Sequence, residues 1–172
     1  MKWDELEIKC LQATVSAIKK LLAENPEESF YAFSLYTDSS AMTVSLSANS
    51  EQYVSSILDN EEDRSKENQN YYKWATSEWA YAGVYSEIFT DISTSLRESP
   101  DRANFSQFKK NLIQTLINTL EKIKCGELSL VLNTSVLFVS ITDDDESENI
   151  ENVSAQSINN ESVTSCFLAR YD

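Results

Sequence analysis

Histidine is absent from the 172 residues, and glycine and proline occur only twice each. Without histidine, Ser-His and Cys-His nucleophile pairs, imidazole acid/base catalysis and imidazole metal ligation are excluded. Gly83 and Gly126 stand far apart, so the chain has no glycine-rich phosphate loop. Basic residues are also scarce: 14 Lys and Arg face 28 Asp and Glu, a formal charge of −14. Such a chain is a poor match for sequence-independent nucleic-acid binding, which relies on cations that neutralise phosphates. Long apolar runs are missing too. The best, Leu128 to Ile141, is broken by Asn133, Thr134 and Ser135 and falls short of the ~18 residues a membrane-spanning helix requires. The opening Met1-Lys2-Trp3-Asp4-Glu5 lacks the basic-then-apolar order of a signal peptide. Cysteines are few, odd in number and widely spaced. Cys10, Cys125 and Cys166 each lie in or beside an apolar stretch, which predicts buried, reduced thiols and a cytoplasmic protein.

What is present suffices for a core: 41% of residues are hydrophobic and 10% aromatic, and the length suits one domain. Asp4, with Glu7 three residues on and Trp3 and Ile8 at staple positions, predicts a helix start. Leu11, Val15, Ile18 and Leu22 continue that helix to Asn25-Pro26. Phe30 to Thr37 and Met42 to Ala48 read as a β-hairpin around Asp38-Ser39-Ser40, the second strand with one apolar and one hydroxyl face. A short helix is expected from about Ser50, a polar loop over 60–70 and a short strand over 71–75. The next helix should carry Trp79, Ala82, Tyr85, Ile88, Ile92 and Leu96 as far as Pro100. The clearest helix runs from about Asn104 to Lys124, its Phe108, Leu112, Leu116, Leu120 and Ile123 on one face, its lysines in solvent, and Gly126 at its end. Leu128 to Leu132 and Val136 to Ile141 read as a second hairpin, the latter strand central and covered on both faces. A final short helix carries Val163, Cys166, Phe167 and Leu168. The fold class is α+β: a single domain whose antiparallel or mixed sheet is built from two β-hairpins and packed by several α-helices.

The negative charge is concentrated. Residues 127–172 hold one basic group, Arg170, and nine acidic ones, and six of those fall between Asp143 and Glu151. Carboxylates this dense repel one another and need solvent, a cation or a basic partner. Asp143, Asp145 and Glu146 directly follow an apolar strand, where oxygen ligands would suit Mg²⁺ or Ca²⁺. Asp38 ends the other aromatic strand in a similar Tyr36-Thr37-Asp38 sequence, so adjacent strand ends would bring carboxylates together. The second distinctive stretch is Tyr71 to Gly83, with Trp74, Glu78 and Trp79. Its aromatics are either core anchors or the lining of a protein interface.

Three segments, Phe30 to Asp38, Trp74 to Gly83, and Phe138-Val139-Ser140-Ile141-Thr142-Asp143 with its acidic continuation, together resemble a bacterial family catalogued as domain of unknown function 4303. That resemblance brings no catalytic residue and no cofactor. Small acidic α+β proteins of this kind are similar in character to bacterial immunity proteins, which neutralise toxin domains in the cytoplasm. The expected function is therefore a non-enzymatic inhibitor of a basic protein partner such as a toxin nuclease domain. Asp38, Trp74, Glu78, Trp79, Asp143, Asp144, Asp145, Glu146 and Glu148 are its candidate contacts. The alternative is a carboxylate-dependent hydrolase or divalent-cation-binding enzyme, which would gather Asp38, Glu78, Asp143 and Asp145 in a concave pocket.

Overall fold

In the computed structural model, which describes residues 1–171, the chain runs through α1 (Trp3–Glu24), β1 (Phe30–Asp38), β2 (Ser45–Ser50), α2 (Glu51–Leu58), α3 (Lys66–Trp74), β3 (Tyr81–Val84), α4 (Thr90–Arg97), α5 (Phe105–Cys125), β4 (Val136–Thr142), α6 (Ser147–Ile158) and α7 (Glu161–Leu168), with short 3₁₀ turns at Thr76–Glu78, Ser86–Phe89 and Pro100–Asn104. The strands form one mixed sheet in the order β3-β2-β1-β4. β1 and β2 are the expected antiparallel hairpin. The α+β class holds, and no described helix is long and apolar enough to cross a membrane.

Helices cover both faces of the sheet. On one face Phe33, Leu35, Leu46, Leu137 and Val139 pack with the apolar stripes of α1, α4 and α5. On the other, Tyr31, Phe138, Trp74, Trp79 and Phe167 form a second, aromatic cluster. A bulge in β1 between Phe30 and Ala32 makes this division possible. It leaves Phe30 beside Phe33, ring centroids 5.6 Å apart, on the first face, and sends Tyr31 to the second.

The second hairpin does not form. Residues 128–135 make successive turns, and Lys124 donates from its ammonium to the carbonyls of Leu132 and Ser135 at 2.6 and 2.8 Å. With those carbonyls satisfied, no strand partner is needed. Lys124 is therefore half-buried rather than solvated, and burial lowers its pKa. β4 instead pairs in parallel with β1, from Ala32 opposite Val136 to Asp38 opposite Thr142. It is an edge strand, not a central one, yet six of its seven residues are buried. α6 covers its outer side: Asn159 accepts from the Leu137 amide and donates to the Leu137 carbonyl, and the Ser154 hydroxyl accepts from the Val139 amide at 2.9 Å.

Other expectations shift for local reasons. α1 has Lys2 at its N-cap with no side-chain cap, so Asp4 lies in the first turn, and Ile8 is exposed while Trp3 packs on Phe108. β2 begins at Ser45, because Asp38 gathers the Ser40 and Met42 amides and the Thr43 hydroxyl into a wide turn. The hydroxyl face of β2 is buried as well, with Ser47 accepting from the Gly83 amide. Residues 71–74 are helical rather than extended, since Ser65 caps α3 through the Asn68 amide. The helix expected through Trp79 and Tyr85 is cut by β3, where Gly83 (φ +63°) and Tyr85 (φ 54°) are left-handed. Cys10 is buried, but Cys125 and Cys166 are exposed.

Gly83 gives a direct prediction. A Cβ there would meet the Tyr36 hydroxyl at 2.9 Å in a backbone conformation that L-residues disfavour. Gly83→Ala should lower stability by about 1–2 kcal/mol, read as a lower urea midpoint at unchanged slope.

Candidate functional site

The acidic run begins where β4 leaves the sheet. Asp143 adopts a left-handed conformation (φ 56°), turning the chain toward α6. Asp144 accepts from the Glu146 amide at 3.0 Å and forms an ion pair with Lys109 of α5. The Lys109 hydrogen bond and the Glu146 amide together lower the Asp144 pKa. Glu151, one turn into α6, accepts from the Arg170 guanidinium at 2.9 Å. Burial raises the Glu151 pKa, and Arg170 opposes the rise. Two of the six carboxylates are thus held inside the fold.

The other four, Asp143, Asp145, Glu146 and Glu148, are exposed and have no ion-pair partner among the described residues. The acidic groups at the start of α6 lie at the positive end of the helix dipole, which offsets part of their mutual repulsion. The result is a solvent-facing anionic patch on a helix start that two internal ion pairs anchor.

The remaining candidates lie elsewhere or face inward. Register places Asp38 beside Thr142, so the two strand ends are neighbours. The Asp38 carboxylate, however, is occupied by its own turn. Glu78 is half-buried and accepts from the Tyr71 and Ser77 hydroxyls at 3.0 and 3.2 Å. Trp74 is 5% exposed and stands edge-on to Tyr31 and Phe167; Trp79 is 3% exposed, packs on Phe138 and donates from its indole to the Lys73 carbonyl. Both indoles are core anchors of the second cluster, with no ring face left for a partner. Among the described residues, no three Cys, Asp or Glu side chains are arranged to hold a metal ion. Five prominent clefts of the described surface take none of Asp38, Glu78, Asp143 and Asp145 into their linings.

Residues 11–160 match the model of the family described as Domain of unknown function (DUF4303). The chain belongs to the DUF4303 family. No curated protein and no solved structure matches it. The DUF4303 match takes in the whole sheet, the acidic stretch and α6, and stops before α7.

Arg170 therefore lies beyond the DUF4303 match, and sequence reasoning overlooked it. A signal was available: it is the single cation of residues 127–172, with Glu151 nineteen residues before it. Lys109 had no comparable signal, since 35 residues separate it from Asp144.

Proposed function

We propose that this DUF4303 protein is a non-enzymatic, cytoplasmic binding protein of the immunity or antitoxin type, which holds a basic toxin domain against the acidic patch at the start of α6. The observation that supports this reading is the unpaired set Asp143, Asp145, Glu146 and Glu148, exposed together on one short segment. Exposed charges of one sign accelerate encounter with an oppositely charged partner and discourage wrong ones. Asp144 and Glu151 contribute differently: their internal ion pairs fix the segment that presents the other four. The contact is electrostatic, with Trp74 and Trp79 supporting the fold behind it.

The test is growth rescue. The product of the adjacent reading frame is first expressed alone to establish that it is toxic, and then with the chain or with a variant carrying Asp143→Lys, Asp145→Lys and Glu148→Lys. All three positions are exposed, so the variant should stay folded while losing protection, its midpoint lowered only by the left-handed Asp143 position and the α6 N-terminus. Equal rescue by the variant would remove the acidic patch from the reading. Absence of rescue by the native chain would remove the immunity reading itself.

A further inference from the structure

Leu130, Val131 and Ile8 are among the apolar side chains most open to solvent, at 84%, 57% and 55% exposed. Exposed leucines are ordinary one at a time, but these three stand around one apolar groove. A cleft of about 270 Å³ lies between α1 and the last turn of α5, formed by Leu11 and Val15 of α1, Ile123 of α5 and Leu128 just beyond it. Ile8 extends the stripe of Leu11 and Val15 by one turn. A cavity of about 150 Å³ already holds a six-carbon ring, so this cleft has room for the four carbons of a leucine side chain.

The protruding side chains are held in place. The Leu132 amide donates to the Leu128 carbonyl at 2.9 Å, and Lys124 ties down the Leu132 and Ser135 carbonyls. Leu128 and Leu132 are buried, so Leu130 and Val131 between them point outward. A side chain fixed in this way loses little freedom when it is seated against a partner. The region thus carries a hole and, two residues from its wall, a knob. An isologous contact between two copies requires both on the same patch.

Charge selects the partner. α1 and α5 carry seven of the 14 basic residues and five of the 28 acidic ones. That is a net of +2, so the rest of the chain carries −16. Two copies repel one another over most of their surface, and the α1–α5 face is where they can meet without that repulsion. Along the groove the charges are already paired, Glu7 with Lys122 and Lys19 with Glu127. A basic partner of the kind proposed for the acidic patch gains nothing here. We propose that this face is the contact of a symmetric dimer, in which Leu130 of each copy enters the groove of the other, with Val131 and Ile8 at the rim. The acidic patch lies elsewhere: Lys109, which holds Asp144, precedes Ile123 by roughly 21 Å along α5. The dimer does not depend on the reading of that patch.

The experiment is sedimentation equilibrium of the full chain over a range of micromolar concentrations, at low and high salt. A reversible monomer–dimer equilibrium is expected, tighter at high salt because screening weakens the repulsion between the acidic remainders. Leu130→Ser should weaken association by about a hundredfold or more, since the substitution counts twice in a symmetric contact. Its unfolding midpoint should equal that of the native chain at a dilution where both are monomers. Val153→Ser removes a comparably exposed apolar group from α6 and should leave the dimer intact. A native chain that stays monomeric, association of Leu130→Ser as tight as the native one, or dissociation by Val153→Ser would overturn the proposal. So would association that weakens with salt or grows beyond the dimer, the behaviour of an acidic patch set against the lysines of another copy.

Discussion

Arg170→Met is expected to destabilise the fold by about 3–5 kcal/mol, the range for breaking a buried ion pair from one side. The Arg170 side chain is fully buried. It donates to the Asn152 side chain at 2.6 Å, the Phe167 carbonyl at 2.9 Å and the Glu151 carboxylate at 2.9 Å, and its guanidinium lies 3.9 Å from the Phe167 ring centroid. One side chain thus joins α6, α7 and the aromatic cluster. Removing it leaves Glu151 buried without a counter-charge, so the upward shift of its pKa should grow. An acid whose folded-state pKa is raised binds protons more readily in the folded state, so stability falls as pH climbs from the unfolded pKa through the folded one. Glu151 therefore adds no penalty below the ordinary glutamate range, and its full penalty appears above its raised folded value. The gap between native chain and variant should be widest at neutral pH and narrow on acidification. Adding Glu151→Gln should recover part of the loss. Urea unfolding at neutral and mildly acidic pH measures all three chains, and a small, pH-independent loss would refute the assignment.

Phe138→Ala should cost about as much, some 3–5 kcal/mol, for a different reason. The Phe138 ring is inaccessible to solvent, lies 4.6 Å from Phe167 and 5.7 Å from Trp79, and projects from β4 into the middle of the second cluster. Truncation leaves a cavity among rings that tight turns and hydrogen bonds prevent from collapsing. Phe138→Leu should cost about 1 kcal/mol, because most of the volume is kept. The indoles provide a second readout. Trp79 is in the damaged cluster, while Trp3 packs on Phe108 across the sheet. The near-ultraviolet dichroism should lose the Trp79 contribution and keep that of Trp3. Loss of both would mean that the two faces unfold as one unit.

The elements legible in the sequence are those whose signal is local. α5 and α1 repeat apolar residues at helical spacing, and the β1–β2 hairpin carries its turn residues between its strands. β4 was recognisable as a strand, but its parallel partner lies about a hundred residues earlier, and nothing near β4 in the chain announces it. α6 was hidden because its buried stripe is short and interrupted by a serine. Ile150 and Ile158 are flanked by Ser154, Ala155 and Asn159, two of which face the sheet to hydrogen-bond rather than to fill space. β3 was hidden by two left-handed residues that no periodicity encodes. At the acidic site, the density of carboxylates was plain, but its division into internal and external groups depends on cations brought in from α5 and the end of α7. Asp38, read as a contact, works as a turn organiser for the same reason that aspartate favours turns in general.

The arrangement on the outer side of β4 bears on how the protein behaves at high concentration. Val136-Leu137-Phe138-Val139-Ser140-Ile141-Thr142 is uncharged, free of proline and glycine, and rich in β-branched residues, the composition of a segment prone to stack into fibrils. At an open margin it would offer a template to every other copy of the chain. Asn159 and Ser154 occupy the hydrogen-bonding positions that an incoming strand would use. A segment of that composition is thus closed to strand addition at Leu137 and Val139 by two polar side chains of its own chain.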